Sequence, residues 1–487
     1  MTSQVKELRD PEFFHLLGSV LLEPHSRARI VALALYLLDG WLLTTVVFPL
    51  YDPVLPVARD ISTTFYALVL VIMALLATWR PRVFNERLLS ITAVIASVAG
   101  FALIIIGALA GSALILLIGT CTVHLSRSWV VVMTGVSFSN LDLKRIAICV
   151  LYATILFCSL VIVFSLLPNE VGLGVFLIVP TMVLAIIRPY VSELFSQIRT
   201  LEVPANRAIT MPLSYLPFTH QIFLCWFLFQ IVNGYSLSFG EENGTPLVTL
   251  FAIVPPLLIL LKVLLTQRTF NPDRLFYIAI LLATIGLMLA PSAHVLTHGV
   301  INNILSLGVV IADLVMWYVL AALSSRNRLG AVGVIAWGRS LSIIGIIVGA
   351  GLGRMANLLF IENTFGVSLI TIVIATALLA YVLFFLKDFS FSKTIGSVLP
   401  DNDVVSHTGN TQDLEARSVL IAQRFQLTPR EAEVLALLAR GRNSNFIKDE
   451  LVVSRNTVKA HVKHIYQKLN IHTHQEVIDM VEGELLD

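Results

Sequence analysis

Twelve runs of about 20 mostly apolar residues follow one another between residues 30 and 387. A helix needs about 20 such residues to cross the hydrocarbon core of a bilayer. The chain is therefore predicted to be an integral membrane protein with twelve helical spans, which a loop near 190–215 divides six and six. The runs cover 30–51, 63–79, 88–108, 111–135, 146–167, 171–189, 216–237, 246–266, 275–291, 299–323, 332–354 and 366–387.

The composition excludes the soluble, disordered and disulfide-rich classes. Hydrophobic residues make up 57% and charged residues 13% of the 487 positions, whereas soluble domains average roughly 45–50% apolar and about 25% charged residues. All four cysteines lie inside apolar runs, where they are expected to pack as small hydrophobic side chains. They are Cys121, Cys149, Cys158 and Cys225.

The distribution of lysine and arginine predicts the orientation in the membrane. Alternate segments, starting with the N-terminal segment 1–29, carry sixteen of these residues, and the segments on the opposite side carry Arg59 and Arg354. Because cytoplasmic loops are enriched in positive charge, both termini are predicted to be cytoplasmic.

Ionisable and amide side chains inside the apolar runs are candidates for a ligand site, because each is costly in hydrocarbon. Most of them lie on the first, fourth, seventh and tenth runs. We interpret them as the lining of a cavity; the alternative is structural pairing, as between Asp313 and Arg339. The ligand-binding candidates are Asp39, His124, Arg127, His220, Gln221, Gln230, Asn233 and Asp313. No metal site, cofactor or catalytic set is predicted.

The composition changes after residue 387. Residues 388–417 are predicted to form a polar linker, and 418–487 a small soluble domain. Thr428 and Pro429 are typical of the first positions of a helix, and Gly441 is typical of its end. A second, short helix is predicted from about Ser444 to Leu451, and a third begins after Ser454.

The third helix of this domain has an apolar face and a basic face. Val458, Val462, Ile465 and Leu469 recur at spacings of four, three and four residues, while Lys459, Lys463 and Lys468 lie among residues 454–469, which contain no acid. Such a helix, preceded by a shorter one, suits the major groove of DNA. The alternative is a basic face that is merely solvated.

The pattern over 427–471 resembles the LuxR-type helix-turn-helix domain of bacterial regulators. The resemblance rests on Leu427-Thr428-Pro429-Arg430-Glu431, Val434-Leu435, Gly441, Ile447, Leu451, Ser454, Thr457-Val458-Lys459, His461-Val462, Ile465 and Lys468-Leu469. It departs from the family at Asn443, Ser444, Phe446 and Lys448. The resemblance implies that the last helix, about 475–483, forms a dimer interface. It also implies that Lys459, Ala460 and Lys463 face base edges and that Arg455, Asn456, Thr457 and His464 approach phosphates.

The twelve-span layout is similar to the major facilitator architecture. In that fold the first helix of each three-helix repeat lines a central cavity, and the polar residues above lie mainly on the corresponding runs. The loop 77–90 keeps three arginines but lacks the glycines and aspartate usual in transporters of that family.

Together these resemblances imply a transcriptional regulator in the bacterial cytoplasmic membrane, with an all-α fold. Its expected partners are promoter DNA, membrane lipid, an unknown small molecule that the bundle senses, and a second copy of the chain. Two alternatives stay open. One is a transporter with a regulatory DNA-binding tail; the other is an anchored regulator that proteolysis releases.

Overall fold

The computed structural model describes residues 11–200, 220–243, 249–289, 298–359, 364–385, 389–398, 411–439, 447–448, 450–451, 454–469, 471, 476–477 and 480–481. The regular structure of these ranges is helical. The chain divides into two compact units. The membrane unit has its described residues within 11–398, and the C-terminal unit has its described residues within 411–481.

The helices of the membrane unit are numbered here in chain order. After α2 the chain continues through a π-helical turn and a 3-10 turn, which together cover residues 43–50. The bounds are α1 Pro11–Leu22, α2 Pro24–Leu42, α3 Ala58–Trp79, α4 Glu86–Ala110, α5 Ala113–Val136, α6 Leu143–Ser165, α7 Asn169–Thr200, α8 Gln221–Asn243, α9 Val254–Thr266, α10 Pro272–Leu289, α11 His298–Arg326, α12 Ala331–Leu359, α13 Thr364–Phe385 and α14 Phe391–Ser397.

The predicted number of spans is not confirmed. Within the described ranges, nine helices are long and apolar enough to cross a bilayer, and they coincide with predicted runs one to six and nine to eleven. Runs seven, eight and twelve contain shorter apolar helices, Gln221–Leu237, Leu250–Thr266 and Leu369–Tyr381. Each of these three predicted runs includes residues outside the described ranges, so the structure describes only part of the run.

The almost continuous apolar stretch 88–135 is divided by a tight turn. Gly111 has φ +62°, a left-handed conformation that ends α4, and Ser112 is the N-cap residue of α5. A residue with a Cβ would be strained at position 111, because left-handed backbone is rarely adopted by other L-residues. The stretch therefore contains two helices, in agreement with the separate predicted runs 88–108 and 111–135.

Helices α8 and α12 approach each other closely through glycines. A Cβ added to Gly349 would lie 2.0 Å from the carbonyl oxygen of Ile231, and one added to Gly234 would lie 2.1 Å from that of Ile346. Since these contacts are to backbone atoms, a larger residue would force the helices apart. The pair α8–α12 is therefore a tightly packed wall of the membrane unit.

The C-terminal unit has its own hydrophobic core. Its described helices are α15 Thr411–Arg424, α16 Pro429–Ala439 and α17 Arg455–Leu469. Val434, Leu435 and Leu438 of α16 pack with Val458, Ile465 and Leu469 of α17. The predicted linker 388–417 contains α14 and the start of α15. Helix α14 has an apolar face, because Phe391 and Ile395 lie one turn apart in a mostly polar stretch.

Candidate nucleic-acid interface and ligand cavity

Helix α16 begins with a reciprocal capping arrangement. The backbone N–H of Glu431 donates to Thr428 Oγ1 at 3.3 Å, and the backbone N–H of Thr428 donates to Glu431 Oε2 at 2.8 Å. Lys468 Nζ of α17 lies 2.7 Å from the same oxygen. Burial of Glu431 raises the pKa of its carboxyl, but the hydrogen bonds from Lys468 and Thr428 outweigh burial and lower the pKa to about 2. These contacts tie α16 to α17.

Helix α17 has a buried face and an exposed face. Ser454 caps it, since the backbone N–H of Thr457 donates to Ser454 Oγ at 3.1 Å. Val458 and Ile465 are fully buried in the core of the unit. Six of the seven predicted DNA-contacting side chains are exposed: Asn456, Thr457, Lys459, Ala460, Lys463 and His464.

Other parts of the predicted DNA-binding site are described less completely. Arg455 starts α17, but its side chain lies outside the described residues. The second helix of the motif is described at 447–448 and 450, where Ile447 is buried. The last helix is described at 476–477 and 480–481, and its Val477 and Val481 belong to the core.

One lysine of the basic face, Lys468, pairs with an acid of the neighbouring helix α16. Lys468 is bound to Glu431, and His464 Nδ1 also lies 3.7 Å from Glu431 Oε1. The sequence places Lys468 and His464 on one helix, but it does not show that Glu431 of α16 packs beside them. The charges available for DNA on the described face are therefore centred on Lys459 and Lys463.

The membrane unit contains a cavity of about 840 Å³ between its two halves. Helices α3 and α5 and the chain around 40–57 line it on one side, and α8, α11 and α12 line it on the other. Three of the eight predicted ligand residues line this cavity: His124, Arg127 and Asn233.

Asp39 and Arg127 form a buried ion pair at the wall of the cavity. Arg127 Nη1 donates to Asp39 Oδ2 and, at 3.2 Å, to the backbone oxygen of Asp39. The two side chains are 3% and 6% exposed, respectively. Asp39 Oδ1 and Arg127 Nε have no hydrogen-bond partner. The pair joins α2 to α5, and it retains unused acceptor and donor capacity.

His124 is the most unusual side chain of the lining. It is 2% exposed, its ring stacks on Tyr66 with centroids 5.1 Å apart, and neither ring nitrogen has a hydrogen-bond partner. Across the cavity, Asn233 Nδ2 donates to Gln230 Oε1 at 2.7 Å, while Asn233 Oδ1 has no partner. Buried polar groups of native proteins are nearly always hydrogen-bonded, so these atoms represent unused hydrogen-bonding capacity in residues that line the cavity.

The remaining predicted residues are placed in two locations. Gln230 Oε1 accepts from Asn233 Nδ2, and neither Gln230 nor Asp313 lines the cavity. Among the described residues, Asp313 and Arg339 do not form the ion pair considered above; Arg339 lies over the Trp317 ring at 5.4 Å and donates to the Tyr36 hydroxyl at 3.4 Å. His220 and Gln221 lie at the start of α8 outside the cavity lining, where His220 Nδ1 accepts from the backbone N–H of Ile222.

A second ion pair in the cavity wall, Asp60–Arg354, was not predicted from the sequence. Arg354 of α12 binds both carboxylate oxygens of Asp60 of α3, with Nη2 to Oδ1 at 2.8 Å. Both residues line the cavity. Their signal in the sequence was a pair of opposite charges at span ends on the same predicted side of the membrane. This signal could not show that the two residues pair with each other, because they are 294 positions apart in the sequence.

A comparison with protein families identifies the C-terminal unit. The family described as "Bacterial regulatory proteins, luxR family" matches residues 426–481. These residues form a LuxR-type helix-turn-helix domain. The predicted resemblance is therefore confirmed, and the chain carries a LuxR-type DNA-binding domain attached to a multi-pass membrane region.

Curated relatives are similar to a part of the chain. The oxygen regulatory protein NreC of Staphylococcus carnosus is 38% identical over 87 residues, which are 18% of this chain and 38% of NreC. The HTH-type transcriptional regulator MalT of Vibrio campbellii is 32% identical over 100 residues, which are 20% of this chain and 11% of MalT. The matches thus span less than half the length of either relative.

Solved structures are similar to the chain over its membrane region. The human organic anion transporter MFSD10 (TETRAN) has 13% identity and a TM-score of 0.49, with 73% of this chain and 97% of the transporter covered. The major facilitator superfamily proton:xylose symporter XylE has 10% identity and a TM-score of 0.49, with 77% and 97% covered.

Proposed function

We propose that this chain is a one-component transcriptional regulator tethered to the cytoplasmic membrane of a bacterium. In this proposal a small molecule binds in the cavity of the membrane unit and controls binding of the LuxR-type domain to promoter DNA. The observation that supports it best is the presence of both parts, a LuxR-type domain and a cavity with unpartnered buried polar atoms, on one chain. The distribution of lysine and arginine supports placing both termini in the cytoplasm.

The proposed DNA interface is the exposed face of α17. Lys459, Ala460 and Lys463 would face base edges in the major groove, and Arg455, Asn456, Thr457 and His464 would contact phosphates. Most known regulators with this motif bind two half-sites as dimers, and we place the dimer contact on the last helix, about 475–483. Val477 and Val481 face the core of the unit, so the contact would use the opposite face of that helix.

The proposed ligand is a polar molecule without net charge. Three arginines around the cavity, Arg59, Arg127 and Arg354, are balanced by Asp39, Asp52 and Asp60. A ligand with a net charge would leave that charge uncompensated in the membrane interior, at a high free-energy cost. The His124 nitrogens and Asn233 Oδ1 offer hydrogen bonds to hydroxyl or amide groups, and the His124–Tyr66 stack offers a flat apolar surface.

The regulatory part of the proposal predicts a loss of transcriptional control in a Lys459→Ala/Lys463→Ala variant. Each base-directed contact is worth about 1–3 kcal/mol, so promoter affinity should fall by roughly a hundredfold. The measurement is the transcript profile of cells that carry equal amounts of the wild type or the variant in the membrane. Lys393→Ala, which removes an exposed lysine from the membrane unit, is the control and should leave the profile unchanged.

Unchanged transcription in the double variant, under every growth condition tried, would contradict a regulatory role. Uptake of a solute that depends on protons and is lost in Asp39→Asn would then support the transporter alternative.

The ligand part predicts a selective thermal shift. A metabolite extract is separated by ion exchange into neutral, anionic and cationic fractions, and the melting temperature of the full-length protein in detergent is measured with each. The neutral fraction should raise the melting temperature by several degrees, because a ligand that binds the folded state stabilises that state.

Two variants test whether this shift arises in the cavity. His124→Phe keeps the stacking surface but removes both ring nitrogens and should abolish the shift. His220→Phe, outside the cavity, should retain it. A shift from a charged fraction, or from none, would contradict the proposed ligand chemistry.

A further inference from the structure

The chain returns to the membrane unit directly after its last membrane helix. Residues 389–398, here called the coupling segment, contain α14. Phe391, Ile395 and Val398 are 2–3% exposed, whereas Ser392, Lys393 and Gly396 are exposed. The buried residues recur at spacings of four and three, which places them on one face of a helical turn. The segment that leads to the DNA-binding domain is therefore docked by an apolar face.

A single carboxylate holds the start of the coupling segment. Asp273, in the first turn of α10, accepts hydrogen bonds from the backbone N–H of Phe391 at 2.6 Å, from Ser390 Oγ at 3.0 Å and from Ser392 Oγ at 2.8 Å. Hydrogen bonds to an ionised acceptor are stronger than neutral ones. The three donors are consecutive residues, so the carboxylate fixes both the position and the direction of the segment.

Aromatic rings hold the segment on a second side. The Phe391 ring stacks on Trp226 of α8 with centroids 5.2 Å apart, and it meets the Phe276 ring of α10 edge-on at 5.1 Å. Trp226 is 1% exposed and Phe276 is 2% exposed. Asp273, Trp226 and Phe276, here called the seat, therefore hold the coupling segment between two different helices, α8 and α10.

Helix α8 connects this seat to the cavity of the membrane unit. Trp226 and Asn233 are seven residues apart on α8, which is about two helical turns and about 10 Å along one face. Asn233 lines the cavity, and its Oδ1 has no partner. Because α8 is packed on the backbone of α12 through Gly234 and Gly349, it cannot absorb a displacement at Asn233 by bending locally. A shift of α8 at the cavity must therefore also move Trp226.

We infer that the coupling segment transmits the state of the cavity to the DNA-binding domain. When α8 shifts against α10, Trp226 and Phe276 no longer pack together on Phe391, and the coupling segment leaves the seat. Release detaches residues 389–398 from the membrane unit and so increases the length of chain between that unit and the LuxR-type domain. This inference rests on the proposed function for the identity of the signal, but the seat itself is independent of any ligand.

The test uses the full-length protein in cells and purified in detergent. Phe391→Ala and Asp273→Ala each weaken the seat, and Lys393→Ala is the matched control on the exposed side of α14. Two quantities are measured with a transcriptional reporter: the output without added metabolites and the ratio of outputs with and without the neutral fraction. Both seat variants should change the basal output at least threefold and bring the ratio to about one. The control should match the wild type.

The thermal shift separates the outcomes. If the seat variants lose the response of the reporter but keep the thermal shift with the neutral fraction, the cavity is intact and coupling is lost, as inferred. If they also lose the thermal shift, the segment is part of the cavity structure and the inference is wrong. Wild-type levels of both reporter quantities in the seat variants would overturn it as well. A wild type that responds to no fraction, beside seat variants with altered basal output, would reject sensing while retaining the coupling role.

Discussion

An Arg127→Met substitution is expected to destabilise the folded membrane unit by about 3–5 kcal/mol, because it leaves the Asp39 carboxylate buried without its partner. Asp39 is 2% exposed, and both hydrogen bonds that Arg127 donates go to this residue. Methionine has a similar length and no charge, so the loss reflects charge compensation rather than volume. The measurement is reversible unfolding of the full-length protein in mixed micelles, followed by tryptophan fluorescence.

The double variant Asp39→Leu/Arg127→Met distinguishes a structural pair from a cavity effect. Replacing both members of a buried ion pair with apolar residues is often neutral or stabilising, so most of the lost stability should return. If the double variant is as unstable as the single one, the pair is not what stabilises the contact between α2 and α5. A stable double variant that no longer shows a thermal shift with the neutral fraction would assign the pair to ligand binding as well.

The LuxR-type domain is expected to lose stability between about pH 5 and pH 2. The pKa of Glu431 is lowered from 4.5 to about 2 in the folded domain. As the pH falls, the unfolded chain takes up the proton first, so the stabilisation is complete above pH 5 and is lost as the pH passes through 2. Its size, from the difference between the two pKa values, is about 3 kcal/mol. Urea unfolding of a 399–487 fragment, at several pH values, measures it.

A Glu431→Gln variant should show the same loss already at pH 7. It should also lack the additional acid dependence, since the group that titrates is absent. Glu433→Gln is the matched control, because Glu433 pairs with Arg430 on the surface and is 51% exposed. Such a pair contributes about 0–1 kcal/mol. Equal stability of the Glu431 and Glu433 variants at pH 7 would show that the Lys468 contact is not stabilising.

The LuxR-type domain was predictable because its determinants are local in the sequence. The cap at Thr428 and the apolar spacing from Val458 to Leu469 each lie within one helix, and the structure shows both as predicted. The role of Lys468 was not predictable, because Glu431 is 37 positions away and belongs to another helix. A basic residue on a helix is compatible with DNA or with an internal acid, and the packing of α16 against α17 decides which.

The lining of the cavity could be predicted in part from the cost of polar groups in hydrocarbon. The prediction includes His124, Arg127 and Asn233, which line the cavity and lie inside two mostly apolar runs, 111–135 and 216–237. It also included His220 and Gln221, which lie at the start of α8 outside the lining. It left out Asp60 and Arg354, since charges at span ends are ordinarily solvated.

The sequence alone determined that the chain is all-helical, that it carries a membrane region, and that this region is followed by a LuxR-type domain. These features follow from run length, residue spacing and capping residues, which act over a few turns of helix. The tertiary structure alone decided that Asp39 meets Arg127, that Asp60 meets Arg354, and that Asp273 holds the chain at Phe391. Each of these contacts joins residues 88 to 294 positions apart. Local sequence patterns contain no information on which distant helices become neighbours.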